Sequence, residues 1–102
     1  MPKKSDLIIL ARAKALPGKE KALENALVAV AEPTRAQPGC VAFSLYRSES
    51  DPSVIVGHER WASKKDHEQH LQGPHVQKLM SAMANLLAGP PDIVSYEILD
   101  ER

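Results

Sequence analysis

Apolar residues follow two different periods along the chain. In three segments they recur at every second position, which predicts β-strands at residues 40–47, 54–61 and 93–99. Residues 7–14 are a short run that begins with β-forming side chains and is followed by the turn Pro17-Gly18, which predicts a further strand. Between these segments they recur every three to four positions, the spacing of amphipathic helices, at residues 19–37 and 64–87. The predicted order is therefore strand, helical region, two strands, helical region and strand.

Both helical regions contain residues that interrupt a helix. Pro33 cannot donate a backbone hydrogen bond and crowds the carbonyl four residues earlier, so the first helix should kink or restart there. Ser63, with an acid three positions later at Asp66, is typical of a helix start. Gly73-Pro74 then divides the second region into two helices, and Gly89-Pro90-Pro91 ends it.

This order of elements is that of the ferredoxin-like βαββαβ fold. It is an α+β fold in which a four-stranded antiparallel sheet carries both helical regions on one face. A length of 102 residues fits a single domain spanning residues 1–102. Because the strands carry apolar side chains on both faces, the helix-free face of a monomer would expose an apolar patch. We therefore expect a homodimer, whose two sheets form an α+β barrel with a lumen suited to a small molecule.

Composition and charge argue against several classes of partner. Lys+Arg and Asp+Glu each total 13, so no net charge attracts nucleic acid or anionic lipid. The apolar run near the start is short and contains Arg12, which fits neither a signal peptide nor a membrane span. We expect a cytoplasmic protein. Cys40 is the only cysteine, which excludes a disulfide within the chain and a thiolate metal cluster.

Four segments of the chain carry a family resemblance. They are Ala15-Leu16-Pro17-Gly18-Lys19-Glu20, Thr34-Arg35-Ala36-Gln37-Pro38-Gly39-Cys40, Glu59-Arg60-Trp61-Ala62-Ser63 and His70-Leu71-Gln72-Gly73-Pro74-His75-Val76. In these segments the chain resembles the antibiotic biosynthesis monooxygenase (ABM) domains, small dimeric α+β barrels that include quinol monooxygenases. The resemblance covers nearly the whole chain and implies a dimer with a barrel pocket. The same scaffold is also used for isomerisation of a signalling sugar phosphate and for haem degradation.

The resemblance implies a monooxygenase that oxidises a quinol or polyphenolic aromatic molecule with O2, with no cofactor and no metal. Such a substrate can reduce dioxygen itself once it is deprotonated. The protein must then accept a phenolic proton, hold the resulting anion with hydrogen-bond donors, and keep the reaction with oxygen in a dry cavity. Histidine suits the first task because its pKa is about 6.5.

His70 is the predicted catalytic base, because it flanks the Gly73-Pro74 break, where a side chain can point into the barrel. His75 is a candidate for substrate binding, or else a structural residue at the start of the last helix. Glu59 is a second catalytic candidate, placed to orient a histidine or to bind a substrate hydroxyl. Trp61 shares its strand face by period two and could bind substrate. If that face packs against the helices, Trp61 is a core residue instead.

Three further residues are candidates for substrate binding. Tyr46 and Tyr96 each have a polar tip on an apolar body, so they line a pocket or pack in an interface. Arg12 binds a substrate anion or pairs with acids at the dimer edge. His67 and His70 share a helix face at a spacing that can ligate metal, but the sequence supplies no third ligand, and we predict no metal site.

Two other functions are compatible with the sequence. A dimeric binding module would sequester an aromatic or quinone metabolite without turnover. An isomerase of a small phosphorylated signal molecule would need a cationic cluster, and the sequence does not show whether Arg12, Arg47 and Arg60 converge. The resemblance does not favour haem degradation, because the first strand lacks a polar amide and the last helix has no histidine beyond His75.

Overall fold

The computed structural model describes residues 2–102 as one antiparallel sheet packed against helices. The strands are β1 Leu7–Lys14, β2 Cys40–Arg47, β3 Val54–Trp61 and β4 Asp92–Glu97. The helices are α1 Glu20–Ala29, α2 Ala31–Arg35, α3 Lys64–Leu71 and α4 Pro74–Met83. The strand order β2-β3-β1-β4 confirms the ferredoxin-like βαββαβ fold.

The first helical region is interrupted as predicted, whereas the second ends earlier than predicted. The first region restarts at α2, with the break at Val30 and Pro33 inside the new helix. The last helix was predicted to continue to residue 87, but α4 ends at Met83. Beyond it the backbone bonds to the end of β1 instead, since Leu86 accepts from the Leu16 N–H and Ala88 donates to the Lys14 carbonyl, each at 2.8 Å. The strand end thus satisfies backbone groups that a longer helix would have used.

The core lies between the sheet and the helices. One cluster joins β1 and β3 to α1 through Ala13, Ile55 and Leu23. A second joins β2 to the α1–α2 junction through Phe43 and Val30. Because side chains alternate along a strand, the same face of β3 also buries Gly57, Glu59 and Trp61.

The opposite face of the sheet is free of helices and partly apolar. The register places Leu10 of β1 between His58 of β3 and Val94 of β4. Exposure reaches 44% at Val94, 46% at Tyr96 and 58% at Tyr46. This is the apolar patch expected from the sequence. No helix in the described part of the chain is long and apolar enough to cross a membrane.

A close backbone approach fixes the start of α3 relative to β2. Gly39 has a φ of +83°, and a Cβ on it would lie 2.2 Å from the Asp66 side chain. Only glycine combines this left-handed conformation with this contact. The Ser63 hydroxyl accepts from the Asp66 N–H at 3.1 Å and caps α3. This contact holds α3, the helix that carries His70, against the start of β2.

Candidate active site

A cavity of about 120 Å³ lies between the sheet and the helices of one chain. Its walls are mainly apolar side chains, such as Phe43, Leu45, Ile55 and Leu79. The expected small-molecule site was a lumen between the sheets of two copies. This cavity lies on the helix-covered face of the sheet, opposite to the face expected to line that lumen, and its lining includes the small residues Ala11 and Gly57 of neighbouring strands.

Glu59 and His70 bring polar atoms to this cavity, and both are buried. Their exposures are 8% and 6%. The Nε2 atom of His70 lies 3.8 Å from Oε1 of Glu59. The same Glu59 oxygen accepts a hydrogen bond of 2.9 Å from the Trp61 indole N–H. The carboxyl is thus oriented by the indole and faces the imidazole.

Burial favours the neutral forms of both groups. Loss of water raises the pKa of the Glu59 carboxyl, and the hydrogen bond from Trp61 opposes this shift. Burial lowers the pKa of His70 to about 4, with smaller contributions from the nearby His67 and His75. The two groups lie at salt-bridge distance, but both pKa shifts oppose an ion pair in the resting site.

The His70 ring is held on several sides. Its centroid lies 4.7 Å from that of Trp61 and 5.9 Å from that of His67, whose ring stacks with it. Its Nδ1 atom lies 2.6 Å from Oε1 of Gln37, in the loop between α2 and β2. A ring packed between aromatic groups and held by a hydrogen bond has little rotational freedom, so Nε2 keeps a fixed direction.

His75 is held against α2 rather than against Glu59. Its Nε2 atom lies 3.2 Å from Oγ1 of Thr34. Thr34 is fully buried and lines the cavity. The His75 ring also lies 6.0 Å from His70, centroid to centroid. Thr34 and His75 therefore join α2 to the start of α4 beside the cavity.

A family model described as antibiotic biosynthesis monooxygenase matches residues 6–82, three quarters of the chain. The chain belongs to the antibiotic biosynthesis monooxygenase family. The match includes Gln37, Glu59, Trp61, His70 and His75, and so contains the buried site described above.

Two proteins with solved structures resemble this ABM protein over nearly their full length. "Putative monooxygenase Rv0793" of Mycobacterium tuberculosis is 32% identical over 97 residues, which are 95% of each chain. Its structure superposes with a TM-score of 0.90 over 95% of this chain and 98% of that one. The structure of PA3566 from Pseudomonas aeruginosa is 27% identical, with a TM-score of 0.89 over 94% of this chain and 96% of that one.

A longer relative is the protein sll1783 of Synechocystis. It is 26% identical over 96 residues, which are 94% of this chain. This ABM protein spans only 65% of the length of sll1783.

Of the other residues predicted for the site, Trp61 lies beside His70, and three lie on the other face of the sheet. Trp61 faces the helices and is fully buried, so it is both a core residue and the donor to Glu59. Strand alternation places Tyr46, Tyr96 and Arg12 on the helix-free face, where all three are exposed. β1 borders the cavity at Arg12, but the side chain of that residue points to the other face. The side chains of these three residues of the ABM protein therefore point away from the cavity.

Two residues of the site were not predicted from the sequence, Gln37 and Thr34. Both lie in the second resemblance segment, and Thr34 also continues the helical spacing of Val30 and Ala31, whereas Gln37 follows no strand or helix period. Residues 2–102 of this ABM protein bring together no group of three His, Cys, Asp or Glu side chains able to hold a metal ion. His67 and His70 stack on one another in that part of the chain.

Proposed function

We propose that this ABM-family protein is a monooxygenase that oxidises a quinol or polyphenolic aromatic molecule with O2 and without a bound cofactor. The observation that supports this proposal is the buried pair of His70 and Glu59, 3.8 Å apart, at an otherwise apolar cavity. One oxygen atom enters the ring and the other leaves as water. The quinol supplies all four electrons and leaves as a hydroxyquinone, so no external reductant is needed.

The first step is removal of a phenolic proton, which makes the ring electron-rich enough to react with O2. The Nε2 atom of His70 accepts this proton. Burial alone makes the resulting imidazolium costly, as the lowered pKa of His70 indicates. Burial raises the pKa of Glu59, but the positive charge of an imidazolium at 3.8 Å favours the ionised carboxylate. The ion pair then offsets part of that cost, so the two residues act as one coupled base.

The size and lining of the cavity support a small aromatic substrate. A cavity of about 120 Å³ is comparable to the ~150 Å³ engineered cavity that binds benzene. Its volume is therefore on the scale of a single aromatic ring. Its outer wall includes Met80 and Ile93, which are 44% and 49% exposed, so an apolar ring substituent has a way out along α4 and β4.

The positions of the arginine side chains do not favour a phosphorylated substrate. Arg60 is held at 2.8 Å by both Asp6 and Glu101. Arg47 is held by Glu24 on α1. Neither guanidinium lines the cavity, so an isomerase of a phosphorylated molecule lacks the cationic cluster it would need.

We propose in addition that the protein is a homodimer that joins through the helix-free face of the sheet. Residues 2–102 leave Val94, Tyr96 and Tyr46 exposed on that face, although the contacts of Arg60 with Asp6 and Glu101 cover part of it. Burying apolar area of this kind stabilises an interface by about 25 cal/mol per Å² before the costs of association. The same face of a second copy is self-complementary under a two-fold axis.

Oxygen uptake tests the proposed activity. Purified, metal-stripped protein is offered a panel of hydroquinones and polyphenols, with protein-free autoxidation subtracted. We expect uptake that His70→Ala abolishes and that Gln69→Ala, an exposed substitution on the same helix, leaves unchanged. No uptake above autoxidation with any compound would overturn the monooxygenase assignment. Thermal stabilisation by the same compounds without uptake would instead support a binding module.

A further inference from the structure

The hydrogen bond between Gln37 and His70 connects two residues that are 33 positions apart in the sequence. Oε1 of Gln37 lies 2.6 Å from Nδ1 of His70. An amide oxygen can only accept a hydrogen bond, so the ring nitrogen must be the donor. A neutral imidazole carries one proton, and the contact places it on Nδ1.

The other ring nitrogen is then an acceptor. Nε2 of His70 is the atom that lies 3.8 Å from Oε1 of Glu59. With the proton on Nδ1, Nε2 presents a lone pair toward the carboxyl and the cavity. The opposite tautomer would present an N–H there, and a nitrogen that already carries a proton cannot accept one.

We propose that Gln37 is a positioning residue, whose side-chain oxygen keeps the His70 proton on Nδ1 and leaves Nε2 free to accept a proton from the substrate. This inference rests on the proposed function, in which His70 is the base. After proton transfer the imidazolium has two N–H donors, and each faces an acceptor already in place, Gln37 on one side and Glu59 on the other. Gln37 thus serves the ring both before and after the transfer.

The backbone around Gln37 is held on both sides. Its N–H donates to the Thr34 carbonyl at 3.0 Å, and its carbonyl accepts from the Cys40 N–H at 3.2 Å. Pro38 follows directly and restricts the conformation of Gln37 further. The amide therefore extends from a rigid turn, which is the condition for holding a ring nitrogen at one distance.

The amide nitrogen of Gln37 lies at the junction between α3 and α4. A Cβ on Gly73 would lie 3.0 Å from Nε2 of Gln37 and 3.2 Å from the His70 carbonyl oxygen. The amide nitrogen thus lies beside Gly73, where the absence of a side chain leaves room for it. The amide oxygen is left to face the imidazole.

The direct test is the protonation state of the ring nitrogens of His70, read by ¹⁵N NMR of uniformly labelled protein near pH 7. We expect Nδ1 to carry the proton and Nε2 to show the shift of an unprotonated nitrogen. In Gln37→Leu, which removes the acceptor at similar volume, we expect Nε2–H to gain population. Gln37→Glu keeps an acceptor at this position and should restore the Nδ1–H tautomer.

Gln69→Leu is the matched control, because Gln69 is exposed on the helix of His70. It should leave the His70 nitrogen shifts unchanged. A wild-type protein with the proton on Nε2, or a tautomer that Gln37→Leu does not alter, would overturn the inference. The NMR result does not depend on turnover, so it stands or fails separately from the oxygen-uptake experiment.

With His70 as the base, the loss of the Gln37 side-chain acceptor should slow proton transfer more than it weakens substrate binding. Gln37→Leu should lower kcat on quinols by about tenfold or more, with a smaller change in KM, because the ring loses its orienting partner rather than a substrate contact. Gln37→Glu should recover most of kcat. Equal losses in both variants would contradict the positioning role.

Discussion

Trp61 and Glu59 are hydrogen-bonded to one another on the same face of β3, with 2.9 Å between the indole nitrogen and the carboxyl oxygen. Both side chains are buried. The bond gives a buried carboxyl a donor and a buried indole an acceptor, so that neither polar group is left unpaired. It also orients the carboxyl toward His70. A hydrogen bond inside the core therefore belongs to the candidate site as well.

Removing the indole donor tests this contact. Trp61→Phe should lower the free energy of unfolding by about 2–3 kcal/mol, because it leaves the buried carboxyl without its donor and reduces packing around a fully buried ring. The measurement is urea denaturation followed by far-UV circular dichroism, since the chain has a single tryptophan. A loss below about 0.5 kcal/mol would contradict the structural importance of the pair.

Glu59→Gln should keep the fold and reduce activity. The amide preserves the shape of the side chain but cannot pair with a protonated His70, so kcat should fall on the order of 10²-fold. The measurement is oxygen uptake with the best quinol of the panel. Glu49→Gln, in the exposed loop between β2 and β3, is the control and should match the wild type. Wild-type turnover in Glu59→Gln would mean that His70 acts alone.

Stability should decrease as the pH falls through the range in which only unfolded His70 is protonated. The pKa of His70 falls from 6.5 to about 4 on burial. Between these values the unfolded state binds a proton that the folded state does not, so this contribution to stability is complete above pH 6.5 and is lost toward pH 4. The pKa of His67 is also lowered, whereas that of Glu59 is raised and acts in the opposite direction.

The comparison of wild type with His70→Gln isolates this effect, because both proteins retain Glu59, His67 and His75. We expect the wild type to lose more in Tm than the variant when both are melted at pH 7.5 and at pH 5. Parallel losses in the two proteins would mean that His70 titrates in the folded state much as it does in the unfolded chain.

Gly57 lines the cavity, and its lack of a side chain adds to the cavity volume. A Cβ there would lie 3.6 Å from a Leu45 methyl and 3.9 Å from the Ala11 Cβ, which are ordinary contacts. Gly57→Ala should therefore retain or raise stability, by up to about 1 kcal/mol, since glycine is unfavourable inside a strand. It should also raise KM for a ring that fills the cavity, because one methyl group occupies part of its volume. Thermal melts and oxygen-uptake kinetics measure the two effects, and an unchanged KM would place the substrate elsewhere.

Val94→Glu tests the proposed homodimer. The substitution adds a charge opposite Leu10 on the helix-free face, where a partner would have to bury it. We expect wild-type protein to sediment as a dimer and Val94→Glu to shift toward the monomer. Val28→Glu is the control, because Val28 is similarly exposed, at 57%, but lies on α1. A wild-type monomer at all concentrations would contradict the proposal.

Local sequence was enough to predict most element boundaries. The alternation in β2 and β3, bounded by Gly39 and by the Asp51-Pro52 loop, predicted both strands with their observed ends. The restart near Pro33 and the helix start after Ser63 were predicted from the chemistry of single residues and are confirmed. These features depend on neighbours a few positions away, which the sequence displays directly.

The position of the cavity could not be predicted in the same way. Both faces of the strands carry apolar side chains, so periodicity placed Glu59 and Trp61 together but did not show that their face lies under the helices. The predicted end of α4, at residue 87, was wrong for a related reason. Leu86 and Leu87 continue its apolar stripe, but their backbone groups bond to the end of β1 or extend its ladder, far away in sequence.

By itself, then, the sequence determined the order of elements, the fold class, the family resemblance, and the pairing of Glu59 with Trp61 on one strand face. Only the tertiary structure decided that this face meets His70 in a cavity, and that Gln37 is the partner of the His70 ring. The physical reason is the sequence separation over which each kind of interaction acts. Periods and turn residues act between near neighbours, whereas a contact between Gln37 and His70 exists only after α2, α3 and the sheet have packed together.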